Sequence, residues 1–396
     1  MAITFPAAPT NGQIYTDTTS GQSWTWDGTK WKGANPDQLH WKRTGTTLSP
    51  TAAGDTIQGN LVPTNGGFGT RNRIINGDMR IDQRNAGASV STPPSYTLDR
   101  WKVRYESKGG VAGTCTVQRS TTAPAGFTNS LLLTVGTAKT VVSGDRFGIE
   151  QPIEGLNMSD FGWGTATAQS VTLSFWVRSS ITGAFGICFS NFSRGYAATY
   201  TIGAVNTWEH KTVTITGDTG GTWATDTSTG TLVVFDIGMG SDARESTGSW
   251  QTGTYLGATG GSNLVATNGA TFYITGVQLE PGTVATPFER RSYGQELSLC
   301  QRYYEELYIF SGAGTTYIRE NVLFKQTKRA VPTGYVYAQT PGGAGTNTVN
   351  AIYQSSSERT AVISNTSVSS ARLDLNTAAF TANQDVTGRV VIISEL

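Results

Sequence analysis

The sequence is short of charge, histidine and cysteine, and each shortage excludes something. Charged residues fill 14% of the 396 positions, against roughly a quarter in an ordinary globular chain. Lysine and arginine number 29 and acidic residues 28, giving a formal net charge of +1 with no basic block and no acidic tail. Displacing counterions from phosphates needs a clustered cationic footprint, so no nucleic-acid partner is expected. No apolar run approaches the roughly 18 residues of a spanning helix, so no membrane insertion is expected. Met1 to Phe5 also lacks the charged and apolar regions of a signal peptide. The three cysteines, Cys115, Cys188 and Cys300, are far apart and odd in number. They read as buried free thiols rather than a disulfide framework or a metal cluster. The two histidines, His40 and His210, accompany neither a G-x-S-x-G elbow nor an H-E-x-x-H pair.

What is present is glycine, 48 residues of it, together with threonine, serine, asparagine and aromatic side chains. These suit half-buried pleated strands and tight turns, so the expected class is mostly β. Residues 1–33 carry short alternating runs broken by Ser20-Gly21 and Asp27-Gly28, the pattern of a β-meander. Trp24, Trp26 and Trp31 are dense in so short a unit and are read as its mini-core, with ligand binding as the rival role. Residues 34–70 have few large apolar side chains apart from Trp41 and read as an extended linker.

Residues 71–290 hold the clearest strands. In Val171 to Arg178, Val171, Leu173, Phe175 and Val177 point one way and Thr172, Ser174, Trp176 and Arg178 the other. Similar runs are Ser130 to Val135, Lys211 to Thr216, Thr231 to Gly238 and Thr271 to Leu279, a spacing that predicts an antiparallel sandwich. Ser292 with Gln295 forms a capping signal. Tyr293, Leu297, Cys300, Tyr304 and Leu307 then recur at helical spacing, predicting a connecting helix of about four turns over 291–308. Docking on a sheet and a short seam between copies of the chain both fit that stripe. From 309 to 396 the pattern returns to strands, predicting a smaller C-terminal β-sandwich.

Three segments carry a resemblance. Phe5-Pro6-Ala7-Ala8-Pro9-Thr10-Asn11-Gly12-Gln13-Ile14-Tyr15-Thr16 with Trp24 to Trp31 resembles a module near the start of many bacteriophage fibre chains. Asn72 to Asn85 with Tyr96 to Trp101 is similar to the opening of a jelly roll in the style of carbohydrate-binding modules. Val277 to Gly282 and Ala285 to Arg291 resemble its closing strand and exit. The resemblance, to tailed-bacteriophage tail fibres and virion appendages, implies a homotrimer. It implies attachment of residues 1–33, with Trp24, Trp26 and Trp31, to a tail, baseplate or neck protein. It also implies display on the virion, with distal domains meeting host polysaccharide or lipopolysaccharide. A head, neck or collar fibre without a receptor site is the alternative.

For glycan binding, Trp176, Tyr196, Tyr200 and Trp208 are the candidate residues, since aromatic faces stack on sugar rings. The outward Trp176 fits a subunit contact equally. Jelly rolls of this style often hold a structural calcium ion, for which Asp78 and Asp82 are candidate oxygen donors; no other cofactor is expected. A glycan depolymerase would need two carboxylates flanking a sugar, and Glu150 with Glu154, or Asp78 with Asp82, are nominal pairs. Any β-rich chain with 28 acidic residues offers such pairs, so no enzyme is expected. Asp99-Arg100-Trp101 reads as an ion-paired brace beside a core ring.

Overall fold

In a computed structural model, the described residues are 5–17, 23–34, 41–44, 47–50, 71–91, 95–110, 112–312, 317–338, 351–354, 357–360, 362–364, 367–376 and 385–395. The chain divides into two compact units, Met1–Phe68 and Gly69–Leu396.

In the first unit, β1 (Ile14–Thr16), β2 (Ser23–Trp26) and β3 (Trp31–Ala34) form the expected antiparallel meander. Asp27 and Gly28 make the second turn. The Asp27 Oδ1 accepts from the backbone N–H of Thr29 and of Lys30, each at 2.9 Å, and Gly28 takes φ +95°. The Lys32 ammonium, 2.9 Å away, and those N–H groups hold the Asp27 carboxyl well below the ordinary range. The rings pack on each other: Phe5 stacks on Trp31 at 5.1 Å and meets Trp24 edge-on at 5.3 Å, while Trp26 lies 5.6 Å from Trp31. The segment read as a linker holds a hairpin of β4 (Trp41–Thr44) and β5 (Thr47–Pro50). Its remaining residues, 35–40, 45–46 and 51–70, and His40 with them, lie outside the described residues.

The second unit begins with the predicted sandwich. Its strands are β6 (Val90–Ser91), β7 (Ser95–Leu98), β8 (Trp101–Glu106), β9 (Cys115–Ser120), β10 (Ser130–Val135) and β11 (Arg146–Glu154). They continue with β12 (Val171–Ser179), β13 (Gly183–Ser190), β14 (Arg194–Ile202), β15 (Glu209–Ile215) and β16 (Thr229–Asp236). Three short strands, β17 (Arg244–Glu245), β18 (Trp250–Thr252) and β19 (Gly257–Ala258), precede the long β20 (Thr271–Pro281). One sheet runs β15-β12-β20-β10-β9-β6 and the other β18-β14-β13-β16-β11-β8-β7. Alternation decides which side chains meet between them. Leu173, Phe175, Val177, Phe272, Ile274, Val277, Phe185, Ile187 and Phe235 are fully buried in one shared core.

The two outer faces differ. That of the seven-stranded sheet is covered by the excursion between β16 and β20, where Met239, Ala243 and Leu256 bury Cys188, Leu232 and Val234. That of the six-stranded sheet keeps half-exposed side chains: Trp176, Arg178, Tyr273 and Leu132.

The helix is shorter than its periodicity predicts. Helix α1 spans Tyr293–Gln301, capped by Ser292, whose Oγ accepts from the Gln295 N–H at 3.3 Å. Tyr304 and Leu307 lie instead in β21 (Tyr304–Gly312), where nine-residue pairing with β28 (Asp385–Ile393) overrides the helical period. The helix docks through Cys300, which packs with Ile75, Ile81 and Tyr303, while Tyr293 is 57% exposed. Strands β22 (Tyr317–Leu323), β23 (Thr333–Ala338), β24 (Ala351–Gln354), β25 (Ser357–Thr360), β26 (Val362–Ser364) and β27 (Ser370–Asn376) complete the unit with β21 and β28. They form two sheets, β21-β28-β24-β25 with β23 also on β28, and β22-β27-β26. The sandwich and the C-terminal strands thus share one unit rather than separating at 290 and 309.

Candidate functional site

The segments that open and close the sandwich meet in a buried polar knot. Asn72 donates to the Val277 carbonyl at 3.1 Å and accepts the Leu279 N–H at 3.0 Å, stitching residue 72 to β20. Asn76, at φ +57°, donates to the carbonyls of Ile81 (2.8 Å) and Asp99 (3.0 Å) and accepts the Ile81 N–H at 2.9 Å. Gly77 is required by proximity: a Cβ there would lie 2.2 Å from the Val277 carbonyl oxygen. Trp101 is fully buried and donates its indole N–H to the Asn76 carbonyl at 2.9 Å.

The expected Asp99–Arg100 brace is replaced by longer-range pairs. Arg100 points away from Asp99, pairs with Glu395 and lies 3.6 Å from the centre of the Tyr303 ring. Asp99 instead accepts from the backbone and side chain of Gln83, at 2.7 and 2.6 Å. A turn at Arg100, φ +69°, throws the two side chains apart. The knot is architecture, and it anchors the C-terminal strands.

The outer face of the six-stranded sheet has a different chemistry. In the β12–β15 register Trp176 faces His210, with ring centres 5.3 Å apart. Two residues on, Arg178 faces Tyr273 of β20 and its guanidinium lies 5.0 Å over that ring. The Arg178 Nε donates to the Asn206 carbonyl at 2.8 Å, and Asn206, at φ +54°, donates back to the Ser179 carbonyl at 2.6 Å. That closes the loop before β15 and brings Trp208 edge-on to Tyr273 at 5.9 Å.

A bulge continues the face. Register shifts between Ser174 and Trp176 of β12 opposite Gly276, which takes φ +61°. A Cβ at 276 would lie 2.6 Å from Phe127 and 3.2 Å from Trp176, so glycine lets the Phe127 ring lie on the strand beside the indole. Phe288 meets Phe127 at 5.2 Å, and the exposed Arg290 sits 4.8 Å over Phe127. The result is an aromatic strip, half-exposed along its length.

Two observations set the strip apart. Trp101, Trp163, Trp223 and Trp250 each donate the indole N–H within the sandwich. Among the described residues, Trp176 and Trp208 make no such bond and keep theirs available. Electrostatically, burial holds His210 below its ordinary 6.5, so it is neutral at pH 7. Glu209, the acid beside it, is spent on Lys211 at 2.6 Å and on the N–H groups of Gly203 and Ala204; these contacts, Lys211 foremost, lower its pKa.

Of the residues singled out in the sequence, Trp176 and Trp208 belong to this strip. Tyr200 is 6% exposed, its ring in the core against Phe175 at 5.0 Å and Phe185 at 5.9 Å, with no face for a sugar. Tyr196, 7% exposed, packs on Trp250 at the opposite sheet. Trp163, Trp223 and Trp250 form a cluster of edge-to-face pairs at 4.8 to 5.2 Å. Sequence reasoning missed Tyr273, Phe127, Phe288, Arg178 and Arg290. The signal available was the lone Gly276 inside a strand, which marks a bulge or a close approach.

The proposed acidic pairs have other partners. Glu150 accepts from Arg104 at 2.8 and 3.0 Å, and Glu154 from Arg302 and, at 2.6 Å, from the Tyr303 hydroxyl. Asp78 pairs with Arg80, whose charge opposes a cation there, and Asp82 accepts the N–H groups of Asn85 and Gly87 at 3.0 and 2.6 Å. This donor set does not fit calcium, and no trio of His, Cys, Asp or Glu is grouped for a metal among the described residues. Cys115, Cys188 and Cys300 are free and buried, and burial raises all three thiols, Cys115 to about 12. No helix among the described residues is long and apolar enough to cross a membrane.

No protein-family model matches the chain, and no curated protein matches it. Among solved structures it is similar to a protein of Bacteroides thetaiotaomicron named as a candidate sugar binder, at 13% identity and a TM-score of 0.32, covering 53% of this chain and 100% of that one. It is also similar to a carbohydrate-binding module, TmCBM61, solved with β-1,4-galactotriose, at 8% identity and a TM-score of 0.26, covering 54% of this chain and 100% of the module. A family 11 carbohydrate-binding module from Clostridium thermocellum, solved with a mixed-linked tetrasaccharide, matches at 10% identity and a TM-score of 0.25, covering 50% of this chain and 98% of that one.

Proposed function

We propose that the chain is a non-catalytic glycan-binding protein whose ligand lies along the aromatic strip on the outer face of the six-stranded sheet. The observation that carries this is the contrast among tryptophans. The indoles of Trp101, Trp163, Trp223 and Trp250 donate inside the fold, whereas the half-exposed Trp176 and Trp208 keep their N–H groups free for a ligand. Aromatic faces take the apolar side of a pyranose, and the neighbouring indole N–H groups, the His210 imidazole and the hydroxyl of the exposed Thr212, two residues further along β15, take its oxygens. A β-sheet supplies such a surface without moving parts, so little ordering is needed on binding.

The setting proposed is a virion appendage of a tailed bacteriophage, a homotrimer held to the particle through residues 1–33. That setting rests on the sequence resemblance of residues 5–16, 72–85 and 277–291 to phage fibre chains. Several copies would then convert weak sugar contacts into firm attachment.

The test is a glycan array probed with the full chain and with Trp176→Ala. We expect specific glycan binding that falls about tenfold or more, ~1.4 kcal/mol, in the variant. Equal binding by both proteins would remove the strip as the site. Light scattering on the same samples separates a subunit contact from a sugar site. If Trp176→Ala dissociates an oligomer and neither protein binds glycans, the strip is an interface instead.

A further inference from the structure

Resting on that reading of the strip, we infer that its ligand is an anionic saccharide, one bearing carboxylate, sulfate or phosphate groups. The inference comes from charge that the fold leaves unspent. Most arginines of the sandwich are neutralised, among them Arg104 by Glu150, Arg194 by Asp218 and Arg244 by Asp236. Four of its described arginines, Arg119, Arg146, Arg178 and Arg290, have no ion pair; Arg119 is turned to the Arg80 carbonyl, and Arg178 and Arg290 stand on the strip.

Neither cation is loose. Arg178 is pinned by its ring contact with Tyr273 and by the hydrogen bond from its Nε to Asn206, which leaves both terminal nitrogens for a ligand. Arg290 lies over Phe127 at 4.8 Å and Phe288 at 5.8 Å. A guanidinium stacked on a ring has already lost much of its rotamer freedom, and its planar fork matches the oxygens of a carboxylate or ester.

Their spacing suits a polymer. Tyr273 holds Arg178 and Gly276 touches the Phe127 ring that holds Arg290, so the two cations are anchored at β20 positions three residues, about 10 Å of strand rise, apart. Trp176 stands between them. The acids beside the strip have partners of their own: Glu209 is bound to Lys211, Glu289, between Phe288 and Arg290 in the chain, takes the Asn72 N–H at 2.6 Å and lies 3.6 Å from Arg291, and the buried Glu280 holds Arg71 at 3.3 Å and the Thr286 N–H at 2.8 Å. A neutral glycan would need the rings alone and would leave both arginines without a counter-charge.

The experiment uses the full chain, Arg178→Gln, Arg290→Gln and the double variant. The probes are an array of uronate-containing, sulfated and phosphorylated glycans printed beside uncharged glycans of matching backbone. The expected result is a preference of about tenfold or more for the acidic member of a pair, weakened by salt and abolished in the double variant. Melting temperatures of the variants should stay close to the parent's, since neither arginine holds a protein carboxylate, with Arg178→Gln the lower of the two because it gives up the bond to the Asn206 carbonyl. The class of anion bound separates carboxylate from ester recognition. Equal binding to acidic and uncharged members overturns the inference while leaving the strip as a glycan site. Binding to no glycan, or binding indifferent to Trp176→Ala, overturns the site and the inference together.

Discussion

The knot and the strip are built from the same alternating strands and do opposite things. In the knot, Asn72, Asn76, Gly77, Trp101 and Asp99 are buried and spend their polar groups on one another and on the backbone. On the strip, Trp176, Trp208, Arg178 and Arg290 keep surface and polar capacity. Of the segments that carry the sequence resemblance, 72–85 and 96–101 form the knot with 277–279, whereas 285–291 also supplies Phe288 and Arg290 to the strip. Much of what is recognisable here is therefore a way of closing a sandwich, while Trp176, Arg178 and Tyr273 lie in plain strand sequence. Fold resemblance and site must accordingly be argued separately.

The sharpest way to break the comparison is Gly77→Ala. The added Cβ would meet the Val277 carbonyl oxygen at 2.2 Å, and that backbone cannot retreat without parting residue 77 from β20. We expect a loss of about 4 kcal/mol or more, read as failure to fold or a large fall in Tm. Next comes Arg100→Ala, which strips one partner from Glu395 and leaves the carboxylate to Arg84 alone. Breaking a buried pair in this way costs about 3–5 kcal/mol, measured by urea denaturation. A variant that still folds should retain its glycan affinity, because the partners of Arg100 are Glu395, the Pro152 carbonyl and the Tyr303 ring, none of them on the strip. A parallel loss of affinity would show that the two regions are coupled.

The strands were legible because alternation is a local signal: each run named in the sequence matches β10, β12, β15, β16 or β20 to within a few residues. The end of α1 was not, since Tyr304 and Leu307 keep helical spacing yet are claimed by pairing with β28, some ninety residues on. The strip was half legible. Alternation placed Trp176 outward, but Tyr196 and Tyr200 look equally eligible in sequence. Only the facing sheet reveals that Tyr200 points at Phe175. Phe127 and Phe288 come from loops, and nothing local says that a glycine bulge on β20 receives one of them. The Arg100–Glu395 pair joins residues too far apart in sequence for any motif to suggest.

The strip should respond in the reverse sense. Trp176→Ala is expected to change the unfolding free energy by less than about 1 kcal/mol, because the ring is half-exposed and its indole N–H anchors nothing within the fold. A larger loss in thermal or chemical denaturation would make the indole part of the core and merge the two regions into one.

The two regions also separate by pH. Burial pushes the Asp99 carboxyl up to about 6 from 3.8, with Arg84 and the Gln83 bonds pulling the other way. The folded chain therefore binds a proton at Asp99 more readily than the unfolded one between those values. The contribution of this group to stability is greatest below pH 4, falls as pH rises and is lost above about 6. Asp99→Asn should flatten that part of the profile by about 3 kcal/mol, while also costing an acceptor for Gln83. His210, held below 6.5 by burial, is half of no ion pair among the described residues. Urea midpoints measured from pH 4 to pH 6 should thus respond to Asp99→Asn and hardly at all to His210→Gln. If the histidine variant carried the slope instead, the strip would be contributing to stability, and the division of labour between the two regions would fail.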